Sequence, residues 1–267
     1  MNIFLDESEK KNIVVGFSKK EISNHQGISG LKYYLVVMFF RKHLETFGEV
    51  SFTLNKLIDE CGYSTKSHND SIYSDFRKIL KEEILDKGYA SSEQDILKIR
   101  PTALFTLKLS NINNLFFTDD TFVQLSIYEY EKITKSNAGR INKSVIIGVY
   151  LYIKQYILAD SNITGGFLKI AYPSKQQIQK GIGISSITTI ENAITILANL
   201  KLIYVKSDMF VEDKYIEDRF IPARNVFALN KNELKYEDRI LEELSRIYGK
   251  PVYTKQNVPG KLMFIKE

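Results

Sequence analysis

GIGISSITTIENAITILANLKLIYV (residues 181–205) carries no charge from Gly181 to Ile190 and only Glu191 before Lys201. Five hydroxyl side chains, Ser185, Ser186, Thr188, Thr189 and Thr195, sit among its isoleucines. Apolar residues at Ile187, Ile190, Ile194, Leu197 and Leu200 recur every three or four positions, which predicts one buried helix face over about 186–200. Ser185 stands at the expected N-cap, where its oxygen accepts from first-turn amides. Upstream, SKQQIQKG (174–181) reads as a short helix capped by Ser174, and Gly183 supplies the tight turn between the two helices. Downstream, LKLIYVK reads as a strand. The polar segment SDMFVEDKYIEDR follows, then a second strand, FIPARNVFAL (220–229).

With KSVIIGVYLYIKQYIL (143–158) as the helix against which this pair packs, the order is that of a winged helix-turn-helix. Such a motif sets the N-terminus of its second helix into the major groove of duplex DNA. Short uncharged side chains there allow close approach to base edges and phosphates. Ser186, Thr188, Thr189, Glu191, Asn192 and Thr195 lie off the apolar stripe. Asn192 can pair with adenine, and the Ser and Thr side chains can meet phosphates or bases. Ser185 serves the helix start in the simpler reading, with DNA contact as the alternative. Lys175 and Lys180 flank the helix as phosphate ligands, and Lys206, Arg219 and Arg224 stand at the base of the wing. The wing itself, 208–219, holds Asp208, Glu212, Asp213, Glu217 and Asp218 against Lys214 and Arg219. Phosphate repels five acids, so either the tip turns toward a protein or only the base touches DNA.

A second copy lies earlier in the chain. LIDECGYS (57–64) overlays IQKGIGIS (178–185), matching Leu57 to Ile178, Cys61 to Ile182, Gly62 to Gly183 and Ser64 to Ser185. Cys61 then fills a core position of the turn. GLKYYLVVMFFRKHLE (30–45) is the preceding helix, EVSF (49–52) a strand, and residues 69–87 a helix with Ile72, Phe76, Ile79 and Ile84 on one face. ILKIRP and ALFTLKL complete it as strands, and the turn STKSHND is about three residues longer than its counterpart. Its exposed side offers Lys66, Ser67, His68, Asn69, Tyr73, Arg77 and Lys78 to nucleic acid or, equally, to a protein surface.

Charge is uneven along the 267 residues, whose formal net charge is +5. Residues 132–206 hold ten basic residues and two acidic ones, a field that attracts a polyanion, although a solvated surface explains it as well. One cysteine excludes an internal disulfide and fits a reducing cytoplasm. No apolar run reaches the ~18–20 residues of a membrane span. The start, MNIFLDESEKK, lacks the order of a signal peptide. Three histidines, His25, His43 and His68, fall in no metal-binding spacing, and neither phosphate loop nor dinucleotide glycine pattern occurs. No enzyme, cofactor or metal is expected.

The reading is therefore α+β, mainly helical, with two tandem winged helix-turn-helix domains: an N-terminal arm or linker (1–29), a first winged helix (30–110), a second (111–230), and a C-terminal helix with its tail (231–267). NIVVGF (12–17) is a candidate strand in the arm. FVQLSIYEYEKI (122–133), KSVIIGVYLYIKQYI and the stretch quoted first resemble replication initiators of plasmids and replisome organisers of phages and mobile elements of low-GC Gram-positive bacteria. That resemblance implies a sequence-specific double-stranded DNA binder serving replication, with one winged helix reading a repeat and the other mediating dimerisation or reading a second part of it. It implies a homodimer and replication proteins as partners, in the cytoplasm. A winged-helix transcriptional regulator, and an interaction scaffold with degenerate winged helices, remain as alternatives.

Overall fold

A computed structural model describes residues 6–65, 70–117, 121–163, 169–259 and 261–262. The fold is α+β, and among the described residues helices predominate over strands in four small sheets. The chain divides into two compact units, 1–152 with 179–200 and 153–178 with 201–267. This division does not follow the boundaries read from sequence, because two helices run from one unit into the other.

In the first unit the elements are α1 (Glu7–Asn12), β1 (Val14–Ser18), α2 (Lys19–Asn24), α3 (Gly27–His43), β2 (Glu49–Phe52), α4 (Leu54–Glu60) and α5 (Asp70–Ile79). A π-helical segment, Leu80–Leu85, extends α5. Then come β3 (Ala90–Ser91), β4 (Phe105–Leu109), α6 (Ile112–Phe116), β5 (Thr121–Ser126), α7 (Ile127–Thr134) and α8 (Lys143–Ile163), whose N-terminal half belongs here. β6 (Ile170–Ala171) belongs to the second unit, α9 (Lys175–Ile182) ends in the first, and α10 (Ile187–Asn199) lies in the first. The second unit continues with β7 (Tyr204–Lys206), β8 (Met209–Glu212), β9 (Arg219–Pro222), β10 (Val226–Ala228), α11 (Glu237–Tyr248), β11 (Val252–Thr254) and β12 (Lys261–Leu262).

The core of the first unit is α3, in which every residue from Leu31 to Phe40 is buried. A helix apolar all round belongs inside, and this one is enclosed by its neighbours. Lys32, the one charged residue in that run, is matched by Asp75 of α5. Residues 6–24, read from sequence as an arm, are part of this unit: β1 pairs antiparallel with β5, and Val15 and Phe17 are buried. Each strand of the pair ends in a capping box that starts a helix, Ser18 with Glu21 and Ser126 with Glu129. Matching the two boxes equates Gly16 with Gln124, and these residues face each other in the ladder. The ladder therefore has a local two-fold centre between equivalent positions of one chain. Glu131 of α7 binds Lys10, Lys42 and Lys135. Burial raises this carboxyl, but those three lysines outweigh it and hold it at about 2.

Two stretches have the same element order: helix, strand, helix, turn, helix, strand, strand. In the first, α3 to β4, the sheet order is β2-β4-β3. In the second, α8 to β10, it is β6-β10-β7, again with the last strand in the middle. The register of the repeat is carried by caps and turns. Thr53 caps α4 through the Lys56 amide (3.1 Å), and Ser174 caps α9 through the Gln177 amide (3.1 Å). Gly62 and Gly183 follow at the same distance from their caps, with φ of +82° and +68°. Cys61 and Ile182 before them are fully buried. β6 was not legible in the sequence because it is two residues long.

The segment FIPARNVFAL, expected as one strand, is two. Pro222 ends β9 and offers no amide donor, and the chain turns so that the Ala223 amide bonds the Met209 carbonyl before β10 starts in another sheet. β9 pairs instead with β8 and β12, and β8 with β11, giving a sheet of order β11-β8-β9-β12. The predicted wing is thus the β8–β9 hairpin inserted between β7 and β10, which the C-terminal strands β11 and β12 extend to a four-stranded sheet. Met209, Val211, Val226 and Val252 pack with Ile240 and Leu244 of α11, which is the charged amphipathic helix expected near residues 231–250.

Candidate nucleic-acid interface

α9 and α10 meet at 101° across the turn, within the range of helix-turn-helix pairs. The turn is closed by the Ile184 amide on the Gln179 carbonyl (3.1 Å). Gly183 leaves no room for a side chain: a Cβ there would lie 2.9 Å from Gln26 Cβ and 3.0 Å from the Gly27 nitrogen. At Gly62 it would lie 2.7 Å from the Thr134 carbonyl oxygen. Each turn glycine is thus required twice, by its φ and by its neighbour.

The N-cap of α10 is Ser186, not Ser185: Ser186 Oγ accepts from the Thr189 amide at 3.2 Å. Ser185 is exposed in the turn, and its carbonyl accepts from the Gln179 side chain. The helix starts one residue late because Ile184, not Ile187, is the buried residue at the entry. Ile190, Ala193, Ile194 and Leu197 are buried. Thr188, Asn192, Thr195 and Asn199 are exposed and fall on one stripe at spacings of four, three and four. Thr189 lies half-buried at its margin. Thr195 donates to the Glu191 carbonyl (3.0 Å), so its methyl and remaining lone pairs face outward. Asn199 was missed from sequence, although its spacing from Asn192 and Thr195 already placed it on this stripe. At the C-terminal end, Lys132 Nζ donates to the Leu200 carbonyl (3.1 Å), a cation placed where the helix dipole favours one.

The first copy places its candidates differently. Lys66, Ser67, His68 and Asn69 lie outside the described residues. Arg77, expected on the exposed side, is half-buried and donates to the Ile99 carbonyl at 2.7 Å, tying α5 to the loop before β4. Tyr73 is likewise turned in, its hydroxyl donating to Asn55 Oδ1 (2.8 Å). Asp70, Ser71, Ser74 and Lys78 form the exposed stripe of α5.

Several of the basic residues expected at phosphates are held by the protein's own acids. Lys206 pairs with Glu237 at 3.2 Å and Arg219 with Asp213 at 3.3 Å. Lys250 meets Glu212 in the same way (3.4 Å), so the acids at the base of the inserted sheet have cationic partners. Lys143, within the basic stretch, is buried with its ammonium on the Ile133 carbonyl and on Ser136. Lys180 is exposed and Lys175 half-buried. The Arg224 amide donates to the Tyr248 hydroxyl (2.9 Å), which fixes its backbone while its side chain is half-buried. The field over 132–206 is therefore weaker at the surface than the count of lysines implies.

Cys61 is buried, and burial pushes its thiol well above the usual range, which makes it a packing residue. Among the described residues no group of His, Cys, Asp and Glu has the arrangement of a metal site, and no single helix is long and apolar enough to cross a membrane. No protein-family model and no curated protein matches the chain.

Proposed function

We propose that this protein is a sequence-specific duplex-DNA-binding protein built from two winged helix-turn-helix modules, serving replication of a plasmid, phage or mobile element. The observation that carries the reading is α10. It follows a helix at 101°, and it exposes Thr188, Asn192, Thr195 and Asn199 with no charged side chain among them. A solvated helix face normally carries Lys and Glu, whereas a base-reading face needs short donors and acceptors. The repeated sheet order, with the last strand between the other two, supports two modules of one kind. The replication role rests on the sequence resemblance alone, so a transcriptional regulator with the same DNA chemistry is the second reading.

Selection of bound duplexes from a random library tests the proposal. A defined motif is expected, with affinity falling steeply as salt rises. Direct repeats of that motif near the gene support an initiator, and a single palindrome over a promoter supports a regulator. Recovery of no motif, with binding flat in salt, removes the DNA reading in favour of an interaction scaffold.

A further inference from the structure

α1 buries none of its residues, so it adds nothing to the core of the first unit. It is nevertheless built to hold its shape, with a reciprocal cap between Asp6 and Glu9 at its start. What it brings to α7 is a pair of lysines from its last turn. Lys10 binds Glu131 at 2.9 Å. Lys11 lies over the ring of Tyr128, 4.8 Å from its centroid, and Lys132 lies over the same ring at 4.7 Å. The two ammoniums are no further apart than the Debye length at ~0.1 M salt, ~10 Å, so salt leaves much of their repulsion in place. Among the described residues no acid pairs with either of them. Glu129, one turn before Lys132, accepts from the Ser126 amide and the Tyr150 hydroxyl, and Glu131 holds Lys10, Lys42 and Lys135. The acids of α1, Glu7 and Glu9, lie in its first turn, at the opposite end from Lys11.

This pair of cations stands at one end of α10. Lys132 Nζ also donates to the Leu200 carbonyl at 3.1 Å, and Leu200 follows Asn199, the last residue of the exposed Thr188, Asn192, Thr195 and Asn199 stripe. At the other end, exposed Lys180 precedes the α9–α10 turn. The stripe between these cations is uncharged. Short neutral donors and acceptors suit base edges, and cations on either side suit the backbone, whose contacts fix the register of a helix in the groove. Because Lys132 covers the Leu200 carbonyl, the negative end of the helix dipole is masked from an approaching phosphate. All of these residues lie in the first unit.

We propose that Lys11 and Lys132, held on the Tyr128 ring, form a phosphate anchor for duplex DNA at the C-terminal end of α10. The inference rests on the DNA-binding reading and adds to it a site and a role for α1. A phosphodiester between the two ammoniums turns their mutual repulsion into a shared attraction. The ring restrains both side chains beforehand, so less freedom is lost when the backbone arrives. The contact carries no sequence information; it sets where along the groove the reading stripe lies.

The test uses the full-length protein and its selected duplex, with a single neutral methylphosphonate linkage placed at each backbone position in turn. One linkage is expected to weaken binding by the parent and to leave Lys11→Ala unaffected, because that contact is already lost in the variant. Lys180→Ala should lose its response at a different linkage. Lys11→Ala should also bind selected and random duplexes more weakly by the same factor, with the slope of log affinity against log salt reduced by about 1. Its melting temperature should match the parent's, since α1 buries nothing. Lys132→Ala uncaps Leu200 as well, so Lys132→Arg, which keeps the cation, is its control and should bind like the parent. Tyr128→Leu, which keeps both charges but not the ring, should lose the linkage response, and Tyr128→Phe should keep it. A parent with steep salt dependence whose linkage profile is unchanged in Lys11→Ala overturns the anchor and leaves the DNA reading standing. Binding that is flat in salt, or absent, in the parent removes the DNA reading and the anchor with it.

Discussion

α5 and α10 occupy the same place in two copies of one element order, and their outer faces differ. α10 shows Thr, Asn, Thr and Asn to solvent; α5 shows Asp, Ser, Ser and Lys, and turns Arg77 inward onto the Ile99 carbonyl. What the copies share is internal: a cap at Thr53 or Ser174, a buried residue at Cys61 or Ile182, and a positive-φ glycine at Gly62 or Gly183. The geometry of the turn thus depends on a few positions, and the outer face is free to take different chemistry. The strand connections diverge as well. The loop from β3 to β4 is tied down by Arg77 and by the Asn55 amide on the Pro101 carbonyl, whereas the connection from β7 to β10 has grown into a sheet packed on α11.

The largest effects are expected where the copies agree. Phe76 and Ile194 are the equivalent core residues of α5 and α10, one fully buried and one nearly so. Truncation leaves a cavity at either position. Phe76→Ala should cost about 3–5 kcal/mol and Ile194→Ala about 2–5 kcal/mol, read as unfolding free energies in denaturant. A variant that unfolds like the parent would show that its helix does not pack as this repeat requires, and the comparison would fail for that copy.

The next effect separates the outer faces. If α10 reads bases, Asn192→Ala should lose on the order of 1–3 kcal/mol on the selected duplex and little on random DNA. Ser74→Ala, on the matching face of α5, should leave specificity intact. Arg77→Ala should lower stability more than affinity, because its guanidinium serves a carbonyl of its own chain. The paired measurement is affinity for selected and random duplexes with a melting curve for each variant. If specificity survives Asn192→Ala and is lost with Ser74→Ala, the reading helix is α5 and the roles of the copies are reversed.

Much of this architecture was legible because it rests on local chemistry. The apolar stripe of α10, the turn glycines, the Ser174 cap and the match of Cys61 to Ile182 all follow from spacing and residue type. The parts that were not legible depend on pairing between distant segments. β1 was visible as a candidate strand, but nothing local in NIVVGF shows that it joins FVQLS and makes the N-terminal residues part of the core. The inserted sheet was hidden for the same reason: MFVE is short, and its partners lie at 219–222 and 252–254. Lys206, Arg219 and Arg77 were read as surface cations because sequence records their charge and not the Glu237, Asp213 and Ile99 carbonyl that meet them.

The smallest effect concerns one residue of register at the start of α10. Spacing from the apolar stripe placed the cap at Ser185, whereas the hydrogen bond from the Thr189 amide goes to Ser186. An N-cap oxygen satisfies an amide that the helix itself leaves without a partner, and its removal typically costs about 0.5–2 kcal/mol. Ser186→Ala should therefore destabilise the protein by that amount, at the low end because the site is exposed and water can replace the hydroxyl. Ser185→Ala should change stability by no more than a few tenths of a kcal/mol, since the Gln179 side chain bonds its carbonyl and not its hydroxyl. Thr53→Ala and Ser174→Ala, at the equivalent caps of α4 and α9, give the internal standard for a true cap in each copy. Thermal unfolding of the four variants side by side decides the register. If Ser185→Ala falls with the two standards and Ser186→Ala with the parent, α10 begins one residue earlier and Ser186 belongs to its first turn, while the buried face at Ile190, Ala193, Ile194 and Leu197 stays where it is.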